Sequence, residues 1–232
     1  MKLREPGFVV AIDGTAGSGK STTAKASARR LGFDYMDTGA MYRAMTLKVL
    51  ETGTRITDKA GMARLLRATR IDLSWCKGRL WVKLDRRDVT SAIRTPEVTG
   101  YVSEVSAVPA VRDKMKVEQR RAALGRNLVC EGRDIGSVVF PDAGLKVYLD
   151  CDVPERAARR VAEWREDGMR TSRTSVTANL RRRDRLDSGR KVAPLVRVAD
   201  AVLLDTTMLT IEEQVEIVCS LVRRRLALME RA

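Results

Sequence analysis

The chain has 232 residues, enough for one sizeable α/β core and a small inserted subdomain. Forty-four Lys and Arg against 30 Asp and Glu leave a formal charge of +14, which reads equally as a surface for nucleic acid, an anionic membrane face or polyphosphates and as a merely solvated Arg-rich surface. Aromatics are only 4% of the chain, so few side chains are supplied for stacking against single-stranded nucleic acid.

There is no histidine, and Cys76, Cys130, Cys151 and Cys219 form no C-x-x-C pair, which argues against a zinc site of Cys and His. Scattered thiols suit a reducing compartment. No apolar run approaches the ~20 residues that span a bilayer. Residues 1–7 are basic at the start but lack a long apolar stretch, so a cytoplasmic protein without a signal peptide is expected.

In chain order, Phe8–Ile12 reads as a buried parallel strand ending at Asp13-Gly14. Lys20–Leu31 reads as a helix stopped by Gly32, then Phe33–Asp37 as a short strand and Tyr42–Glu51 as a helix stopped by Gly53. Residues 58–70 have helical periodicity. Alternation then takes over: Ile71–Cys76 and Arg79–Leu84 predict a hairpin about Lys77-Gly78, and Asp88–Thr90 a third strand. Helices are predicted over Thr95–Val108 and Ala110–Leu124, with Pro109 between them. Asn127–Glu131, Leu145–Leu149 and Ala201–Leu204 read as further buried strands, and Pro154–Glu166, Thr174–Leu186 and Thr210–Met229 as helices. Strands alternating with helices predict a three-layer α/β fold on a parallel sheet.

Between the first strand and helix lies Gly14-Thr15-Ala16-Gly17-Ser18-Gly19-Lys20-Ser21, followed by Thr22. This is the pattern of a P-loop. Its glycines let backbone N–H groups converge on phosphate oxygens, and the helix adds its positive N-terminus. Lys20 reaches the β and γ phosphates, and the Ser21 hydroxyl is placed to bind Mg²⁺ beside ATP. The loop identifies a nucleotide and leaves the acceptor open.

Three further clusters bear on the acceptor. Arg43, after Asp37-Thr38-Gly39, reads equally as a second phosphate ligand or as an exposed arginine. Arg133 and Asp134 follow a strand, at the edge where parallel sheets bind ligands. Arg183 and Asp187 share a helix face, with Arg190 beyond it. Arg156, Arg159 and Arg160 start a basic helix and are read as mobile clamps for a transferring phosphate.

Taken together, these segments resemble those of bacterial-type cytidylate kinases, and the resemblance runs from Val9 to about Leu228. The resemblance rests on Ile12–Ser21, Asp37–Arg43, Ile93–Thr95, Gly132–Gly136 with Val139–Asp142, and Arg183-Asp-x-x-Asp-Ser-x-Arg190 with Ala193–Leu195. It implies transfer of phosphate from ATP to CMP or dCMP, with Mg²⁺, by a P-loop NTPase fold carrying a small antiparallel β-containing NMP-binding insert and a short helical lid. The implied division is a core of 1–67, 93–155 and 190–232, an insert of 68–92 and a lid with acceptor-binding helix of 156–189.

By motif position, Thr38 (where a serine is common) and Tyr42 line the acceptor pocket, and Arg43 and Arg133 hold its phosphate. Ser103, Arg112 and Asp134 read the cytosine edge. Arg183, Asp187 and Arg190 take the sugar side. Lys20, Arg133, Arg159 and Arg160 act on the transferring group. A monomer without nucleic-acid or membrane partners is expected. Competing readings are a kinase for AMP, UMP or a hydroxylated metabolite, and a nucleic-acid-binding P-loop protein; the latter lacks a recognition motif and aromatic interleaving.

Overall fold

The apolar run after Gly7 becomes β1 (Val9–Gly14), buried at all six positions. In the computed structural model, which describes residues 7–76, 79–166, 168 and 171–231, the strand runs two residues beyond the apolar stretch. Asp13 and Gly14 are thereby held in register opposite Tyr148 and Leu149.

The chain forms two compact units, one of Asp34–Leu128 with Gly7 and one of Phe8–Phe33 with the chain from Val129 onward. Leu128 apart, the latter holds β6 (Leu128–Glu131), β1, β7 (Leu145–Asp150) and β8 (Val202–Asp205), side by side in the order β6-β1-β7-β8. The β1–β7 and β7–β8 ladders are parallel, so strand ends gather on one edge. Strands this apolar on both faces need helices over them.

Helix α1 (Lys20–Leu31) packs against α8 (Ile211–Met229). Thr210 and Glu213 close a reciprocal capping box at the start of α8. Helices α6 (Val153–Glu166) and α7 (Arg173–Ser188) pack on each other, and Ala157, Val176 and Leu180 bury Ala16 of the glycine-rich loop. That apolar contact roots the helix pair on the loop. The segment 156–189, expected to be the lid, has residues 167 and 169–170 outside the described residues.

The other unit holds β2 (Asp34–Asp37), α2 (Thr38–Thr52), α3 (Lys59–Ala68), α4 (Pro96–Ser106), α5 (Pro109–Ala122) and a three-stranded antiparallel sheet of β3 (Ile71–Cys76), β4 (Arg79–Leu84) and β5 (Arg87–Asp88). The predicted Lys77-Gly78 turn lies outside the described residues. Met41, Met45, Met62, Leu66, Val82 and Met115 are among the side chains filling its core.

Two predicted boundaries are corrected. Helix α2 begins at Thr38 and not Tyr42, because the Asp37 carboxylate accepts from the Ala40 N–H and caps the helix there. Helix α5 starts on Pro109, whose missing N–H costs nothing at a first helical position.

Candidate active site

Gly14 turns the chain out of β1 at φ +148°, where a Cβ would lie 2.0 Å from the Leu149 carbonyl oxygen of the neighbouring strand. No larger residue fits. Gly19, left-handed at φ 90°, opens α1 without a side-chain cap. The first N–H groups of the helix therefore stay available to an anion.

Between these glycines the loop closes around the Thr15 carbonyl. Ser18 Oγ donates to it at 3.0 Å and Lys20 Nζ at 2.5 Å, with Lys20 Nζ also 3.4 Å from Ser18 Oγ. Lys20 is 5% exposed. Burial lowers its pKa well below the usual lysine value; Arg133 and Arg183 push the same way, against Glu131 and Asp187. An ammonium so placed gains strongly from a polyphosphate.

The chain leaves β6 at Glu131 and turns through Gly132-Arg133-Asp134 into a π-helical turn, Ile135–Val139. Arg133 Nε donates to Asp187 Oδ2 at 2.8 Å and Nη1 to the Gly132 carbonyl at 3.2 Å. Burial weakens the Arg133 charge, but the Asp187 charge and hydrogen bond, with Glu131 and Asp184, outweigh it and hold its pKa above the ordinary value. Asp187, 6% exposed, sits below its ordinary value although burial raises it, because Arg133, Arg190 and Arg183 surround it. Its carbonyl accepts from Arg190 Nε at 3.2 Å and Leu195 N at 2.9 Å, folding the 190–195 segment back onto the end of α7. Arg133, Arg183, Asp187 and Arg190 are thus one cluster, with Asp134 buried beside Arg133 in sequence.

The basic helix behaves differently from its sequence reading. Arg156, expected to be mobile, is 3% exposed and fixed on three sides. It donates to the Cys151 carbonyl at 2.8 Å and the Ala16 carbonyl at 3.0 Å, and pairs with Asp184 at 2.8 Å. Its place under the loop makes it a brace. Arg159 pairs with Glu155 at 2.9 Å and donates to the Thr206 carbonyl at 2.7 Å; Arg160 pairs with Glu163 at 3.0 Å. Thr206 Oγ1 lies 3.0 Å from the Ser18 and Asp150 carbonyls, tying the segment after β8 to the loop. Sequence reasoning missed Thr206, Asp184 and Asp13, since no local pattern distinguishes them.

In the other unit, Thr38 is the first residue of α2, and Tyr42 follows one turn on, both buried. The Arg112 guanidinium lies 5.3 Å from the Tyr42 ring centroid and donates to the Ser106 carbonyl at 3.1 Å. Arg43 donates to Thr99 Oγ1 at 2.7 Å. Ser103, partly buried on α4, lies one turn before Ser106.

Among the described residues no group of three acidic, Cys or His side chains could hold a metal ion. Ser21 offers a single exposed hydroxyl at the start of α1. That donor set fits Mg²⁺, which takes most of its oxygens from nucleotide phosphates and water, and does not fit a protein-caged ion. No described helix is long and apolar enough to cross a membrane.

A P-loop at the end of one parallel strand, with an arginine–aspartate cluster at the end of its neighbour, defines a P-loop kinase. A crystal structure of TT1252 from Thermus thermophilus shares the fold at TM-score 0.51 and 21% identity, covering 96% of this chain and 99% of its own. The cytidylate kinase family model matches residues 10–224. A cytidylate kinase of Caldanaerobacter subterraneus is 46% identical over 93% of this chain and 94% of its own, and one of Solibacter usitatus 47% identical over 94% and 93%. The chain belongs to the cytidylate kinase family.

Proposed function

We propose that the chain transfers the γ-phosphate of ATP to CMP or dCMP, giving ADP and CDP or dCDP for pyrimidine nucleotide supply. The observation that carries this reading is the Arg133–Asp134 turn at the end of β6, beside the β1 strand that ends in the P-loop. Donor and acceptor ligands come from adjacent strand ends of one sheet.

Phosphoryl transfer asks the protein for positioning and charge compensation, with no enzyme nucleophile. Loop N–H groups and Lys20 take the ATP phosphates, and phosphate oxygens replace the Thr15 carbonyl at Nζ. Mg²⁺, when bound through Ser21, neutralises phosphate charge. Arg43 and Arg133 hold the acceptor phosphate with its oxygen in line with the γ-phosphorus. Arg159 and Arg160 act on the transferring group.

Thr38 and Tyr42 line the acceptor pocket, and Arg183, Asp187 and Arg190 hold the sugar. Asp134 accepts from the cytosine amine while Arg112 and Ser103 donate to the ring acceptors; a uracil carbonyl facing Asp134 is repelled. The 68–92 insert serves the acceptor, and the 156–189 region supplies both the acceptor-binding helix and the lid that excludes water from the donor.

Three buried cysteines, Cys130, Cys151 and Cys219, support a cytoplasmic, reducing location, and the enzyme is read as a monomer. A coupled assay with ATP and CMP, dCMP, UMP, AMP and GMP tests the proposal. CMP or dCMP is expected to give the highest kcat/KM; preference for any other monophosphate refutes it.

A further inference from the structure

The turn that carries Arg133 and Asp134 is fastened to β1 at both ends. Before them, the Gly132 N–H donates to the Ile12 carbonyl at 3.0 Å. After them, Asp13 takes the next two backbone donors: Ile135 N–H at 2.8 Å on Oδ1 and Gly136 N–H at 2.7 Å on Oδ2. The two residues assigned to the acceptor are therefore bracketed by the last residues of the strand that becomes the P-loop.

We propose that Asp13 is a positioning residue for the phosphoryl acceptor, its carboxylate locking the turn that presents Arg133 and Asp134. The proposal rests on the CMP kinase reading and adds a residue that touches neither substrate.

The chemistry of the contact requires a carboxylate. Two adjacent N–H donors converge on one side chain, and only a carboxylate offers an acceptor oxygen to each. An amide of the same shape would satisfy one donor and set its own N–H₂ against the other. Gly136 packs close to the carboxylate: a Cβ there would lie 3.4 Å from Asp13 Oδ2 and 3.1 Å from the Lys146 side chain. Asp13 is 7% exposed, although burying a carboxylate is costly without full pairing. The site thus keeps an expensive group where an apolar residue would complete the strand at less cost. That is a reason to seek its use in the turn it holds.

The same contact links the two halves of the reaction. Asp13 is followed directly by Gly14, which pairs with Leu149 of β7 so closely that a Cβ there would lie 2.0 Å from the Leu149 carbonyl oxygen. The acceptor turn is thereby referenced to the close-packed start of the donor loop. A loose turn would leave Arg133 bonded to Asp187 and free to carry Asp134 away from the base.

The test is Asp13→Asn and Asp13→Ser in the full chain, with steady-state kinetics in both substrates and backbone amide exchange by NMR. Each lost charge-assisted hydrogen bond is expected to raise KM for CMP about tenfold or more. KM for ATP should change less than about threefold, because the loop closure on Thr15 is untouched. Ile135 and Gly136 amides should exchange faster than in the wild type while those of β7 keep their protection. KM for CMP unchanged in an active wild-type background, equal rises in both KM values, or unaltered exchange at Ile135 and Gly136 each overturns the role of Asp13. A wild-type chain that does not phosphorylate CMP overturns the functional reading itself and, with it, the role of Asp13.

Discussion

Arg156→Met removes the brace beneath the P-loop. The guanidinium makes three contacts at 2.8–3.0 Å: the Cys151 carbonyl, the Ala16 carbonyl and the Asp184 carboxylate. Methionine fills much of the space and supplies none of them. Asp184 Oδ1 is already buried without a hydrogen-bond partner, so losing Arg156 removes the compensating charge from Oδ2 as well.

Breaking a buried pair from one side costs about 3–5 kcal/mol. The Asp184 side chain is 22% exposed, which places the expected loss near the lower end, about 3 kcal/mol. For a chain of this size each kcal/mol moves the midpoint by about 2–4 °C, so Tm should fall by roughly 6–12 °C. Asp184→Asn keeps an acceptor for Arg156 and should cost about 1 kcal/mol. Arg156→Met with Asp184→Leu should be more stable than Arg156→Met alone, because no orphaned charge remains. Thermal and urea unfolding followed by circular dichroism measure all three. An Arg156→Met midpoint within about 2 °C of wild type, or a double variant no more stable than Arg156→Met alone, refutes the buried-brace reasoning.

Asp13 gives a pH-dependent difference between variants. Burial raises its pKa from 3.8 to about 6, partly offset by the Gly136 and Ile135 N–H bonds, raised further by Asp134 and lowered by Lys20. With the folded pKa above the unfolded one, its contribution is full below about pH 4 and lost as pH rises through about 6. Stability of wild type minus Asp13→Asn should therefore fall by about 3 kcal/mol across that window; a flat difference contradicts the shift. Lys20→Ala should abolish transfer and leave the circular dichroism spectrum unchanged. Burial disfavours the Lys20 ammonium, so ATP binding in the wild type should take up protons, seen as buffer-dependent binding heats; equal heats across buffers contradict this. Asp134→Asn should cut the CMP-over-UMP ratio of kcat/KM by about tenfold or more, and an unchanged ratio removes Asp134 from base reading.

Local rules were enough for much of this molecule. Gly14 to Ser21 specifies its own curl, since only glycine accepts the φ values at Gly14 and Gly19. Helix α1 came out as Lys20–Leu31, as its periodicity and Gly32 predict, and the antiparallel pairing of Ile71–Cys76 with Arg79–Leu84 follows from alternation, while the third strand falls at Arg87–Asp88 and not at Asp88–Thr90. Each of these is decided by residues within one or two turns of each other.

The contacts that make a site of these parts join positions far apart. Asp13 meets Ile135 across 122 residues, Arg133 meets Asp187 across 54, and Arg156 meets Ala16 across 140. No periodicity records them, because they are set by which strands lie adjacent in the sheet. Hence Arg156 read as a mobile clamp: a charged residue on a basic helix looks exposed until the neighbouring loop and helix are placed over it. Asp13 read as the end of a strand, for the carboxylate acquires its task only when β6 brings the turn alongside. Sequence alone determined the phosphate loop and the kinds of side chain available around it. The tertiary structure decided which of those charges are buried supports and which are grouped to meet a substrate, because burial and pairing are properties of packed neighbours.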